Sequence, residues 1–309
     1  MRYLIMGVGA LGTVFGGLLQ RAGHNVAFLG RGAHFQRLTT TGGLIDGIWG
    51  KHRLAPVAQP QLGDLFDVIF LTVKSFDTAA ALRQAAGLAA PDGLVVSLQN
   101  GLGNTEIIAR ECGARRTIGG RVIFGARVAE PGRVTVTVYA EPVLLGAVDP
   151  DAPADKLALV SQHLNEAGIP TQVVDDIVSH LWGKALYNCA LNPLGAVLGV
   201  PYGALGNHPD TRDLMRFIIG EIYQVARAKG VRLPLSRPDD YFRHFLEKLV
   251  PPTAAHRPSM WQDLQAGRPT EIEALNGAIC RYGRELGIPT PYNDAVTRLV
   301  RFRQSRSAG

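Results

Sequence analysis

Residues 2–31, RYLIMGVGALGTVFGGLLQRAGHNVAFLGR, constrain the fold more than any other stretch. An apolar run, RYLIMGV, reads as a strand. Three glycines follow at G-x-G-x-x-G spacing: Gly7, Gly9 and Gly12, with Val8, Ala10 and Leu11 between them. LGTVFGGLLQRAG then has helical periodicity, and NVAFLGR reads as a second strand. Strand, glycine loop, helix and strand in that order make a βαβ unit. Gly7 permits a tight turn, Gly9 lets a pyrophosphate approach the backbone, and Gly12 lets helix and strand pack closely. The helix N-terminus offers N–H donors and a partial positive charge to phosphate. Residues 7–12 are therefore expected to bind a dinucleotide.

The end of the second strand selects the cofactor. An NAD site places Asp or Glu there for the ribose hydroxyls. This chain has Gly30-Arg31-Gly32 and no carboxylate from residue 13 to 45. Arg31 can pair with a 2′-phosphate through its planar donor fork. NADP(H) is expected over NAD(H).

Further βα alternation follows in DVIFLTVK, TAAALRQAAGLAA and GLVVSLQN. This rhythm predicts a doubly wound, largely parallel α/β sheet of Rossmann type. GGLIDGIWGKHRLAP reads as an excursion, and residues 120–147 as antiparallel strands at the sheet edge. From about residue 176 the pattern is almost wholly helical. Two domains are expected: a cofactor-binding domain over 1–174 and an all-helical substrate and catalytic domain over 175–309.

The chain's 309 residues are 46% apolar and 19% charged, as in a compact globular protein. No apolar run approaches the roughly 20 residues that span a bilayer, and no targeting segment is read at the start. Cys112, Cys189 and Cys280 form no paired or ligand spacing, which suits a reducing cytoplasmic setting. The eight histidines show no metal-ligand spacing, and no metal is expected. The net charge of +6 is scattered, so nucleic acid is not an expected partner. The one basic cluster, RLVRFRQSRSAG, reads as a solvated, frayed tail. Exposed apolar residues on the terminal helices permit a homodimer.

Candidate chemistry lies at strand ends and in the helical half. Ligands of open α/β sheets sit beyond the carboxyl ends of the strands. Lys74 follows one strand there, and Asn100 another. In HLWGKALYNCALNPLGAVLGV, residues 180–200, Lys184, Asn188 and Asn192 fall within an arc of roughly 80° on one helix face. Pro193 is expected to end or kink that helix. Asparagine is a poor helix former, so two of them beside a lysine favour function over a solvated stripe. Thr270 and Glu273 fit a capping box. Glu271 would then open the helix, where the dipole favours a carboxylate, so its presence has a structural explanation as well.

Together the blocks GVGALGTVFGGLLQRAGHNVAFLGR, TVKSFDT, SLQNGLGN, LWGKALYNCALNPLGAV and SMWQDLQAGRPTEIEALNG resemble the ketopantoate reductase (2-dehydropantoate 2-reductase) family. The resemblance covers nearly the whole chain. It implies an NADPH-dependent oxidoreductase that reduces ketopantoate to pantoate, a step toward pantothenate and coenzyme A. Lys184 matches the family's general acid, and Glu271 the glutamate that holds the substrate hydroxyl. Ser259 matches a serine at the substrate carboxylate, and Asn188 and Asn192 match substrate-side asparagines. Asn100 and Lys74 match residues near the nicotinamide. Tyr202 and His256 stand where the family often has asparagine, which opens the choice of 2-keto acid. Alternatives are a reductase of another 2-keto acid, a non-catalytic NADP(H)-binding protein, and a β-hydroxyacid dehydrogenase of similar architecture.

Overall fold

The computed structural model describes residues 1–85 and 87–307. Ala86, within the expected helix TAAALRQAAGLAA, and Ala308 and Gly309 of the tail lie outside the described residues. The chain folds as two compact units. One comprises residues 1–99 and 104–177; the other comprises 100–103 and 178–309. The short segment 100–103 is thus a part of the helical unit that sequence alone did not assign to it.

The first unit opens with β1 (Arg2–Met6), α1 (Ala10–Arg21), β2 (Asn25–Leu29), α2 (Gly32–Thr41), β3 (Gly43–Gly47), β4 (His52–Leu54) and β5 (Phe66–Leu71). It continues with α3 (Thr78–Ala85), β6 (Ala89–Ser97), α4 (Asn104–Cys112), β7 (Thr117–Glu130), β8 (Arg133–Ala147), α5 (Ala154–Glu166) and β9 (Thr171–Val173). The strands form one mixed sheet in the order β2-β1-β5-β6-β7-β8-β3-β4, with β9 also on β8. β2, β1, β5, β6 and β7 are mutually parallel. A parallel sheet is covered on both faces, so its strands are apolar throughout rather than alternating. On β1, Tyr3 and Ile5 enter one core, whereas Leu4 and Met6 enter another. Val68 and Phe70 of β5 likewise face away from Ile69 and Leu71, as the period of two requires. Val14, Phe15, Leu18 and Leu19 place α1 on the first of these cores.

The antiparallel strands depart from the expected position. β7 and β8 form a long hairpin inside the sheet, flanked by β6 and by β3 and β9. The antiparallel edge is the glycine-rich excursion, where β4 pairs with β3. β3 itself runs parallel to β8 and so extends the sheet past the hairpin.

The helical unit contains α6 (Ile177–Leu198), α7 (Tyr202–Asn207), α8 (Pro209–Ala228), α9 (Pro238–His244), α10 (Ser259–Gln265), α11 (Asn276–Leu286) and α12 (Pro291–Ser307), α6 beginning on the last residue of the first unit. Leu186, Leu191, Ile218, Ile222, Phe245 and Ile279 are among its buried core residues.

Three expectations are corrected in this unit. First, α6 does not end at Pro193 but continues to Leu198. Proline lacks the N–H that would bond the carbonyl of Cys189 four residues back. That carbonyl accepts instead from the Asn276 side chain at 3.1 Å. Second, Thr270 and Glu273 form no capping box. α11 starts only at Asn276, and residues Ile272–Ala274 make a separate 3-10 turn. Third, the basic tail is docked helix as far as Ser307. Arg301 makes two bonds to Glu273, at 2.6 and 2.7 Å, and Arg303 donates to the Val197 carbonyl.

Candidate active site

The two units carry different parts of the candidate chemistry. In the first, Gly7 lies in the left-handed region at φ +101°, and a Cβ there would meet the Val73 nitrogen at 2.5 Å. A Cβ on Gly12 would approach the Gly7 carbonyl oxygen to 2.1 Å, so that position must be glycine for α1 to lie against the loop. Gly9 differs: it is exposed, and its added Cβ would meet nothing within 4 Å. It is the N-cap of α1 and makes no side-chain cap. The first turn of this 12-residue helix, whose N–H groups lack intrahelical acceptors, therefore starts beside the open space at Gly9. Val8 is buried beneath the loop, against Gly30. A dinucleotide pyrophosphate fits this cradle in shape and charge.

Arg31 follows β2 and is highly exposed, with Asp77 3.2 Å from its guanidinium. Spacing alone could not anticipate this carboxylate, which lies 46 residues away. An exposed pair of this kind contributes little, so it does not prevent Arg31 from engaging a 2′-phosphate. Lys74 is half-buried at the end of the β5 connection. Below it, the Gln99 amide donates to the Val73 carbonyl at 3.0 Å and to the Thr78 hydroxyl at 2.7 Å. These bonds tie the ends of β5 and β6 together.

In the helical unit, Asn100, Asn192, Ser259, Asp263 and Glu271 line one open cavity, with Met260 and Leu275 as its apolar residues. Asn192 comes from α6, Ser259 and Asp263 from α10, Glu271 from the turn before α11, and Asn100 from segment 100–103. Lys184 joins this group through Asn100, whose Oδ1 accepts from the lysine Nζ at 2.7 Å. Lys184, Asn188 and Asn192 are all half-buried at successive turns of α6. Asn188 is not among the residues lining the cavity.

Asp263 was missed by sequence reasoning. It lies four residues after Ser259, hence on the same face of α10, and that spacing was the available signal. Its carboxylate is buried and accepts from the Arg268 guanidinium at 3.0 Å and 2.9 Å. Glu271 is 9% exposed and has φ −91°, ψ 23°, the sparsely populated bridge region in which many active-site residues sit.

Tyr202 and His256 occupy one place behind Asn192. The buried Tyr202 hydroxyl donates to Asn192 Oδ1. Its backbone N–H donates to the His256 carbonyl at 3.1 Å, and the two rings lie 5.1 Å apart. Burial raises the Tyr202 pKa, which keeps the hydroxyl protonated, and lowers that of His256. These residues support the cavity wall from behind.

Among the described residues, His24, His163 and Glu166 bring three potential metal-ligand atoms within 4.8 Å of one another. Sequence spacing could not show this group. The two imidazoles pack ring on ring at 4.2 Å with 34° between their planes, and Nδ1 of His163 is held by the Tyr3 hydroxyl at 2.6 Å. Ring lone pairs lie in the ring plane, so stacked rings do not converge well on one ion.

Two family models match the chain: ketopantoate reductase PanE/ApbA over residues 3–150, and its C-terminal counterpart over residues 176–304. The 2-dehydropantoate 2-reductase of Aquifex aeolicus is 38% identical, over 98% of this chain and 97% of the relative. That of Archaeoglobus fulgidus is 34% identical, over 98% of each. Among solved structures, a PanE/ApbA family ketopantoate reductase from Ralstonia eutropha superposes with a TM-score of 0.89 at 30% identity, over 100% of both chains. D-mandelate dehydrogenase, solved with NADH and anilino(oxo)acetate, superposes with a TM-score of 0.90 at 27% identity, over 99% of both.

Proposed function

The chain belongs to the ketopantoate reductase family, and on that premise we propose that it reduces 2-dehydropantoate to pantoate with NADPH. The observation that carries this reading is the cavity that holds Asn100, Asn192, Ser259 and Glu271 together, with Lys184 bonded to Asn100. Full-length similarity to curated 2-dehydropantoate 2-reductases supports the same activity.

The residues of the first unit bind and orient the cofactor. Residues 7–12 and the N-terminus of α1 would hold the pyrophosphate, Arg31 would hold the 2′-phosphate, and Lys74 would serve the nicotinamide end. When bound, NADPH supplies the hydride for the ketone carbon. The remaining requirements fall on the helical unit. As the carbonyl oxygen gains negative charge, a proton donor must meet it. The Lys184 ammonium is that donor. Asn100 accepts one of its N–H bonds without cancelling its charge, and so orients it. Glu271 accepts from the substrate hydroxyl, and Ser259 and Asn192 hydrogen-bond the substrate carboxylate. Glu271 thereby favours hydroxylated keto acids.

The domain division follows from this assignment: cofactor binding over 1–174 and substrate binding and catalysis over 175–309, with segment 100–103 serving the latter. Among the described residues no helix is long and apolar enough to cross a membrane. We place the enzyme in the cytoplasm, where its three free thiols remain reduced, with a homodimer as the assembly to test for.

The test is NADPH oxidation by the purified protein with ketopantoate. Turnover supports the reading, and its absence overturns it. A second reading has an observation in its favour. Tyr202 and His256 replace asparagines behind the cavity, and the chain is also similar to D-mandelate dehydrogenase. On that reading the preferred substrate is another 2-keto acid, and turnover of an aromatic 2-keto acid above ketopantoate would favour it.

A further inference from the structure

We propose that α12 positions the reacting groups of the cavity, acting through Gln304 and Arg301 on the turn that carries Glu271. The inference rests on the functional reading above and extends it to the basic tail, which that reading leaves without a role.

Glu271 sits outside any regular helix, in bridge-region backbone. Thr270 before it and Glu273 two residues after it are held by α12. Gln304 Oε1 accepts from both the Thr270 N–H and the Thr270 hydroxyl, each at 2.9 Å. Because a backbone N–H can only donate, the orientation of the Gln304 amide is fixed. Thr270 is buried, so its N–H has no ready replacement partner in water. On the other side, Arg301 takes both carboxylate oxygens of Glu273 in a planar fork, at 2.6 and 2.7 Å. The four residues from Thr270 to Glu273 are thus clamped from one helix face, since positions 301 and 304 are one turn apart.

The same turn governs a second reacting group. The Ala274 carbonyl accepts from the Leu102 N–H at 2.7 Å. Gly101, at φ +85°, lies so close that a Cβ would come within 2.5 Å of that carbonyl oxygen. Asn100 begins this segment and holds the Lys184 ammonium. A shift of residues 270–274 therefore moves Glu271 directly and Lys184 through Asn100. Gln304 and Arg301 are positioning residues: they set where the hydroxyl acceptor and the proton donor stand, and touch neither substrate nor cofactor.

The test compares Gln304→Met, which keeps length and packing but cannot accept from Thr270, with Gln304→Glu, which keeps an acceptor oxygen. Gln304→Met should raise the KM for ketopantoate about tenfold, near the upper end for one ordinary hydrogen bond, and lower kcat through the displaced Lys184, with NADPH affinity little changed. Gln304→Glu should restore KM to within about twofold of wild type. Amide hydrogen exchange of residues 270–275 should quicken in the first variant and not in the second, a readout independent of which keto acid is the substrate. An unchanged exchange in Gln304→Met overturns the clamp. Faster exchange with an unchanged KM overturns the positioning role, as does Gln304→Glu proving as impaired as Gln304→Met. If wild type does not reduce ketopantoate, the functional reading fails, and exchange alone decides the clamp.

Discussion

Lys184 donates a hydrogen bond from Nζ to Asn100 Oδ1 across 2.7 Å, and Asn192 lies two turns further along the same helix. Removing the ammonium removes the proposed proton donor while leaving the proposed cofactor residues of the first unit untouched. Lys184→Ala should therefore lower kcat by about 10²–10⁴-fold with NADPH affinity unchanged, as measured by initial rates and cofactor titration. Near-normal turnover would take Lys184 out of that role. Glu271→Ala should chiefly raise the KM for ketopantoate, because the lost acceptor serves binding of the hydroxyl; an unchanged KM would leave Glu271 a purely structural role. Both side chains were accessible from the sequence for different reasons. Helical spacing put Lys184, Asn188 and Asn192 on one face. Glu271 had a sufficient local explanation in helix capping, and only resemblance raised it above that. Asp263 and the Tyr202–Asn192 bond lay beyond such reasoning, since each depends on which neighbours a buried group meets after folding.

Elements were legible where local chemistry decides them and illegible where tertiary contacts do. The glycine loop needs only a strand before it and a helix after it, and α1 begins at Ala10, inside the pattern. Pro193 shows the opposite case: its local rule predicts a break, but a side chain from α11 takes the orphaned Cys189 carbonyl. Asn276 also donates to Asn293, whose own amide donates to the buried Glu221 carboxylate at 2.7 Å. Asn276→Ala would leave a buried carbonyl unpaired and should cost about 1–3 kcal/mol, read as a lower urea midpoint at unchanged slope. The capping box failed likewise, because Gln304 and Arg301 from α12 claim both of its members. Arg301 beside Glu273 holds that carboxyl below the usual carboxylate range. A depressed pKa contributes stability that is fully present above the unfolded value and lost as pH falls through the folded one. Stability of the wild type should thus fall slightly more steeply than that of Glu273→Gln below about pH 4. Both side chains are about half exposed, so the difference should not exceed about 1 kcal/mol. Equal acid limbs would deny the pair that contribution.

At the scale of the molecule, the βα rhythm of the first half and the helical second half were plain, because parallel strands buried on both faces read as unbroken apolar runs. The place of the β7–β8 hairpin inside the sheet was not, since strand order depends on pairings far apart in sequence. The proposed division of labour between the units predicts a cofactor preference. NADPH should bind more tightly than NADH, and Arg31→Ala should narrow that preference by weakening NADPH alone; a loss equal for both cofactors would place Arg31 elsewhere in recognition. The most direct test of the central claim is the ratio kcat/KM for NADPH-dependent reduction across a panel of 2-keto acids by the purified wild-type protein. Ketopantoate is expected to stand highest, above pyruvate-like and aromatic 2-keto acids. A higher value for a keto acid without a hydroxyl for Glu271, or no oxidation of NADPH by ketopantoate, would contradict it.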